Sequence, residues 1–414
     1  MLTHVAVLAY HSSPLTEPGA GDAGGMTVYV RELAEALAQR GVATDIFTRA
    51  TSSSRPVTTL RSGVRVVAVE AGPPVALSKD ELSRHVDDFA MGVRAFATAQ
   101  RVRYDVVHSH YWQSGLAGRA LSRAWGTPFV HSQHTLARVK NRYLAPGDTP
   151  EPQTRIDGED AVTSAADVMI ASTDDEWQQL ACLYDVAHDR LKTIHPGVDH
   201  CVFRPGDRAA DRAGLGLSDE AMMLYVGRIQ PLKGLELAIR AAGQLVPRLD
   251  RPLLFHVVGG ESGAAGANEL ARLRTLAASL DVGSNIRFVG ATSHDEVPRF
   301  YRAADAVVVC SYSESFGLAA LEAHACGTPV VGTSVGGLSH IVQDGSSGFL
   351  VGSRDPEVFA ARLETILSSE AVRLAFADNA LRSASSFSWQ ATADSLLELY
   401  ECLLREGWPQ LCTC

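Results

Sequence analysis

Compact apolar, β-branched runs alternate with longer amphipathic stretches along almost the whole chain. Runs at residues 5–8, 44–48, 64–69, 105–108, 128–131, 168–171 and 191–194 have the length of strands. Few of them alternate regularly between apolar and polar, which suits strands covered on both faces in a mostly parallel sheet. A helix at about 26–40 follows the first run, and helical stretches separate most of the others. A second series of the same form runs through 222–226, 253–258, 286–289, 306–309, 329–331 and 348–351. Between the two series, His195-Pro-Gly-Val-Asp199 through Arg204-Pro-Gly-Asp-Arg208 carries two Pro-Gly turns and then charges, the composition of an interdomain connection. The pattern predicts two doubly wound α/β domains, residues 1–200 and 209–386. Such sheets bind ligands beyond the carboxyl ends of their strands, so the cleft between the domains is the expected site. A last helical stretch at about 388–405, within the segment 387–414, is expected to cross back to the first domain.

The composition narrows the class. The 414 residues are 46% hydrophobic and 20% charged, which excludes a disordered chain or a fibre. A net charge of −10 argues against duplex nucleic acid as a partner, because phosphate binding by counterion release needs a basic face. No apolar run reaches the ~18 residues that read as a membrane span, so no membrane insertion is expected. Met1-Leu-Thr-His-Val lacks the pattern of a secretory signal, and the cytoplasm is the expected location. Seven cysteines, odd in number and mostly scattered, fit reduced thiols better than a disulfide framework. Cys412-Thr-Cys414 reads as a frayed tail and not a metal site. A homodimer is compatible with the sequence.

Candidate chemistry gathers where strands end. Gly19-Ala-Gly-Asp-Ala-Gly-Gly25 follows the first strand and leads into a helix, so its backbone can approach a ligand closely. The acidic residue that a dinucleotide fingerprint needs after the second strand is missing, since Phe47-Thr48-Arg49 stands there. The loop is therefore either a structural turn or an anion or sugar site. Arg228 and Lys233 lie five apart across a strand-to-helix turn, where two cations can converge on one diphosphate. Glu314 and Glu322 bracket a helix start. Eight residues of helix rise ~12 Å, too far for an acid/base dyad unless the first lies off the helix, but right for two ends of an elongated ligand. Glu322 sits in an apolar stretch, where an unpaired carboxylate is costly. Two histidine clusters, His108-Ser-His110-Tyr111-Trp112 and His131-Ser-Gln-His134-Thr135, follow adjacent strands. A single histidine there is more often a hydrogen-bonded core residue, yet two clusters favour one facing the cleft. No metal-ligand spacing is complete, so no metal site is expected.

Together, Arg228-x4-Lys233, Glu314-x7-Glu322 and the opening His11-Ser-Ser-Pro-Leu…Gly21-Asp-Ala-Gly-Gly-Met26 resemble one family nearly end to end. The chain is similar to retaining glycosyltransferases of the GT-B fold, with two Rossmann-like domains facing a cleft. Within these it resembles the actinobacterial D-inositol-3-phosphate glycosyltransferases of mycothiol biosynthesis. The resemblance implies a nucleotide-sugar donor, a small anionic acceptor and no required cofactor. It implies that Arg228 and Lys233 grip the donor diphosphate, Glu322 the ribose and Glu314 the transferred sugar. The Gly25 backbone N–H would lie near the donor phosphate, His134 beside the sugar, and Glu17 in the donor loop. On the acceptor side it implies His11, Thr27, Lys79, Tyr111, Thr135 and Arg155. Retention without an enzyme nucleophile implies attack on the leaving group's own face, with Glu314 positioning the sugar.

The chain also departs from that family. Thr27 stands where the family has an asparagine that touches inositol, Glu17 where it has glutamine, and Ala291-Thr-Ser-His-Asp295 replaces a Pro- and Arg-bearing stretch. A specialised-metabolism paralogue would look like this, such as the S-glycosyltransferase of lincosamide antibiotic biosynthesis, which couples a nucleotide sugar to a small thiol. A nucleotide-sugar epimerase of the same architecture and a binding module without turnover are the more distant alternatives.

Overall fold

A computed structural model describes residues 2–17, 19, 23–61, 63–261 and 266–406. Gly21 and Asp22 of the glycine-rich loop, and Cys412 and Cys414, lie outside the described residues. Among those described, the first sheet holds β1 (His4–Leu8), β2 (Ala43–Arg49), β3 (Val57–Arg61), β4 (Val64–Val69), β5 (Val106–His110), β6 (Phe129–Ser132), β7 (Val168–Ala171) and β8 (Leu191–Thr193). The second holds β9 (Ala221–Val226), β10 (Leu253–Val258), β11 (Ile286–Gly290), β12 (Ala306–Val309), β13 (Val330–Thr333) and β14 (Gly348–Val351). Their orders are β3-β4-β2-β1-β5-β6-β7-β8 and β11-β10-β9-β12-β13-β14. Every pairing is parallel except β3 with β4.

Each sheet reverses its strand order beside one central strand, β1 in the first and β9 in the second. At such a switch point the helices on either side diverge and leave a crevice beyond the strand's carboxyl end. The glycine-rich loop follows β1 and the Arg228 loop follows β9, so topology alone brings the two loops to ligand-binding crevices. The strands that carry them are buried on both faces, as the unbroken apolar runs predict: Val5, Ala6, Val7 and Leu8 in β1, and Ala221 through Tyr225 in β9. Two hydrophobic clusters sandwich each sheet.

β3 is the element the sequence reading passes over. Val57-Thr-Thr-Leu-Arg alternates and pairs antiparallel at the sheet edge, so it lacks the continuous run of a buried strand. Arg49, at the position where a dinucleotide site would need a carboxylate, is buried and gives its guanidinium to the carbonyls of Ala71 (2.8 Å) and Val75 (3.0 Å). The connection after His195 is irregular and exposed from Arg204 to Asp207, but Val198 and Phe203 anchor it in the second domain's core.

The helix Trp389–Glu406 packs on the first sheet's side, with Trp389, Leu396 and Tyr400 in the cluster that holds Val5, Val7 and Leu33. Arg40 pairs with Asp394 (Nη2–Oδ2 2.6 Å), and the Tyr400 hydroxyl meets His108 Nδ1 at 2.6 Å. Among the described residues no helix is long and apolar enough to cross a membrane. Cys182, Cys201, Cys310 and Cys326 form no disulfide.

Candidate active site

A cavity of about 360 Å³ lies between the two sheets at the carboxyl ends of their strands, within the size range of small-ligand sites. From the first domain it takes His11, Gly25, Lys79, Tyr111, His134, Thr135 and Arg155. From the second it takes Arg228, Lys233, Glu314 and Glu322. Residues separated by up to 311 positions in sequence thus share one wall or face one another.

The donor-side cations are placed by two turns. After β9 the chain makes a short 3-10 turn, Pro231–Lys233, and then passes through Gly234 at φ 63° into the helix Leu235–Leu245. A Cβ on Gly234 would lie 2.1 Å from the Cys310 carbonyl oxygen, so only glycine lets this turn seat against the β12 loop. That seating delivers Lys233 Nζ to Glu314 Oε2 at 2.6 Å, and Ser311 Oγ donates to the same oxygen at 3.0 Å. Glu314 precedes the helix Leu318–Ala325, so it lies off that helix and the helical rise reckoned between it and Glu322 does not apply. Arg228 reaches across the cleft: a Cβ on Gly24 would stand 3.1 Å from its Nε, so the bare backbone at the start of the helix Gly25–Gln39 makes room for the guanidinium.

Glu322 is not the unpaired carboxylate that its apolar surroundings would penalise. The fully buried Tyr301 hydroxyl donates to its Oε2 at 2.8 Å, and His294 Nε2 stands 3.9 Å from Oε1. Burial lowers the His294 pKa, but the nearby negative charge of Glu322 outweighs it and holds the imidazole above its ordinary value.

On the opposite wall, Arg155 is 3% exposed. Burial opposes its charge, yet Glu159 (2.7 Å) and Glu151 (2.9 Å) keep it a cation. Its Nη2 donates to the carbonyl (3.0 Å) and hydroxyl (2.9 Å) of Thr135. The Tyr111 ring lies under both the Arg155 guanidinium, 5.0 Å from its centroid, and the Lys79 ammonium, 5.9 Å. His11 stacks beside Tyr111 at 4.4 Å. Burial, reinforced by Lys79 and other cations, pushes the His11 pKa down to about 3, so it is a neutral ring.

Of the two histidine clusters, His108 and His131 are core residues, as single histidines usually are. His108 binds Tyr400 and Ser132, and His131 binds Ser109 and Gln133. His134 is the one that lines the cavity. Two expected site residues stand apart. Thr27 is buried at 2% exposure, its hydroxyl donates to the Gly24 carbonyl at 2.6 Å, and it does not line the cavity. Glu17 is exposed and also outside the lining. The sequence reading missed three contributors: His294 beside Glu322, Ser315, whose hydroxyl bonds the His134 carbonyl across the cleft, and His110 behind His134. His110 alone carried a signal, the pairing of two histidine clusters on adjacent strands. Among the described residues no group of three His, Cys, Asp or Glu is placed to hold a metal ion.

The family model "Glycosyl transferases group 1" matches residues 207–383, and "Glycosyl transferase 4-like domain" matches residues 24–197. A D-inositol 3-phosphate glycosyltransferase of Nocardioides sp. is 47% identical over 411 residues, covering 96% of this chain and 90% of its own. That of Actinosynnema mirum is 48% identical over 405 residues, covering 96% and 97%. Among solved structures, a sucrose-phosphate synthase from Thermosynechococcus elongatus superposes with a TM-score of 0.90 at 30% identity, covering 97% of this chain and 99% of that one. Anabaena HepE, solved with UDP and glucose, has a TM-score of 0.77 at 20% identity, covering 97% and 100%, a likeness of fold.

Proposed function

We propose a function from one premise: this chain belongs to the GT-B glycosyltransferase family of the D-inositol 3-phosphate glycosyltransferases. Its donor is a nucleotide diphosphosugar and its acceptor a small anion of the inositol phosphate kind, glycosylated with retention. The observation that carries this reading is the pairing of cationic walls. Arg228 and Lys233 face the cavity from one domain, and Lys79 and Arg155 from the other. One cavity so lined suits two anions at once, a diphosphate and the charged end of an acceptor.

As the bond between the anomeric carbon and the diphosphate oxygen breaks, negative charge builds on the leaving phosphate. Arg228, Lys233 and the backbone N–H groups opening the helix at Gly25 stabilise that charge and so lower the barrier. The acceptor attacks from the leaving group's face, and the departing phosphate oxygen takes its proton. Glu314 holds a hydroxyl of the transferred sugar. Glu322 accepts from the ribose through Oε1, since Tyr301 occupies Oε2. The walls of both domains exclude water and so limit hydrolysis of the donor.

Arg155→Ala tests the acceptor clamp. It should raise the acceptor KM at least tenfold, the loss of one charged hydrogen-bonding partner being worth roughly 1.5–3 kcal/mol, while the donor KM changes little. An unchanged acceptor KM in a folded variant removes the clamp. A small thiol is the alternative acceptor class: the Thr27 hydroxyl donates to the Gly24 carbonyl, and Thr27 does not line the cavity. Incubation with nucleotide sugars plus either inositol phosphate or a small thiol, read by the mass of the conjugate, separates the two.

A further inference from the structure

His110 ends β5 and His134 follows β6, its neighbour in the sheet. The β5–β6 register sets His110 beside Ser132, and two residues later the chain turns through His134 at φ 62°. This left-handed conformation is strained for a side chain with a Cβ. It is held on both sides: Ser315 of the second domain bonds the His134 carbonyl, and His134 Nε2 lies 2.9 Å from His110 Nδ1. Backbone strain at a cavity wall marks a side chain whose direction matters.

Both rings are neutral. Burial, with the neighbouring imidazoles, holds His110 well below its ordinary pKa, and burial pushes His134 down to about 3. One of the two facing nitrogens therefore carries the shared proton, and the two arrangements differ in what they leave at the far nitrogens. His110 is wholly buried and its Nε2 has no hydrogen-bond partner. A proton on that Nε2 would be a buried N–H with nothing to receive it, and orphaned donors are rarer in folded proteins than orphaned acceptors. A bare Nε2 is the lesser cost. The proton then sits on His110 Nδ1 and is donated to His134 Nε2, and His134 carries its own proton on Nδ1.

We infer that His110 is a positioning residue that fixes His134 as an Nδ1–H donor in the cavity wall. The wall therefore offers a hydrogen bond to an oxygen of the bound substrate, a sugar hydroxyl or a phosphate oxygen. It offers no base, so His134 does not deprotonate the acceptor. The tautomer stands on the structure alone, and only its catalytic use rests on the proposed function.

The test is a long-range ¹H–¹⁵N spectrum of the whole protein labelled with ¹⁵N-histidine, His134 being identified by its loss in His134→Gln. The expected result is His134 protonated at Nδ1 and bare at Nε2. A His134 protonated at Nε2 overturns the inference whatever the enzyme's substrates prove to be. Kinetics give the second readout. His110→Leu removes the donor and should lower kcat roughly ten- to a hundredfold with little change in acceptor KM. His110→Asn, which keeps an N–H near the same place, should recover most of the loss. A folded His110→Leu protein with parental kcat overturns the positioning role, and if that variant does not fold, the spectrum of the parent protein decides.

Discussion

Removing the charge of Lys233 is the sharpest trial of the donor site. Its ammonium lies 2.6 Å from Glu314 Oε2, with side chains 24% and 16% exposed, so water screens the pair only in part. Two unit charges about 4 Å apart in such a setting interact by roughly 4 kcal/mol. Negative charge that develops on a departing diphosphate would lose that attraction in Lys233→Ala. At about 1.4 kcal/mol per factor of ten, kcat/KM for the donor should fall around a thousandfold. Lys233→Met keeps most of the aliphatic stem and should fall equally, which separates charge from packing. Initial rates at varied donor concentration, followed by the mass of the product, give kcat/KM, and a thermal melt shows that the fold persists. A folded Lys233→Ala protein within tenfold of the parent would refute the diphosphate role, and a Met variant near the parent would assign the effect to packing instead.

Two further outcomes concern stability. Gly234→Ala forces a Cβ to within 2.1 Å of the Cys310 carbonyl at a positive φ, and should cost about 2–4 kcal/mol from backbone strain and overpacking together; a denaturant midpoint equal to the parent's would contradict it. The buried neutral histidines make stability depend on pH. His11 and His134 titrate at about 3 and His131 at about 4 in the folded protein, so on acidification the unfolded chain takes up their protons first. Their contribution is present above about pH 6.5 and is lost as pH falls from there toward 4, by about 1.4 kcal/mol per pH unit for each such histidine. His131→Asn should flatten that slope measurably in denaturant titrations at several pH values.

The architecture was legible because parallel strands buried on both faces announce themselves as unbroken apolar runs, as at β1, β9 and β12. β3 was not, since an edge strand with one solvated face carries only short alternation. Arg228, Lys233 and Glu314 were legible for a topological reason, because charged residues just after buried strands lie at the sheet's ligand-binding end, and Glu322 because it is a carboxylate in an apolar stretch. The arrangement around them was not. Whether Thr27 faces a ligand or its own helix depends on one rotamer, and it bonds Gly24. The pairing of His110 with His134 depends on a positive φ that histidine seldom adopts. The Glu322–Tyr301 bond joins residues 21 apart on separate helices, a distance at which local pattern is silent.

The chain passes between its two halves twice, and the two passages lie side by side. Val198 bridges to Ser388, and a Cβ on Gly197 would stand 2.1 Å from the Trp389 nitrogen. Paired straps of this kind resist twisting far better than one, yet both can bend about a shared line, as the leaves of a book turn on its spine. Twisting of one half against the other is thereby restrained, which helps keep the two sets of cations in register across the gap. Severing either strap should loosen that restraint and lower turnover although every residue lining the gap is intact.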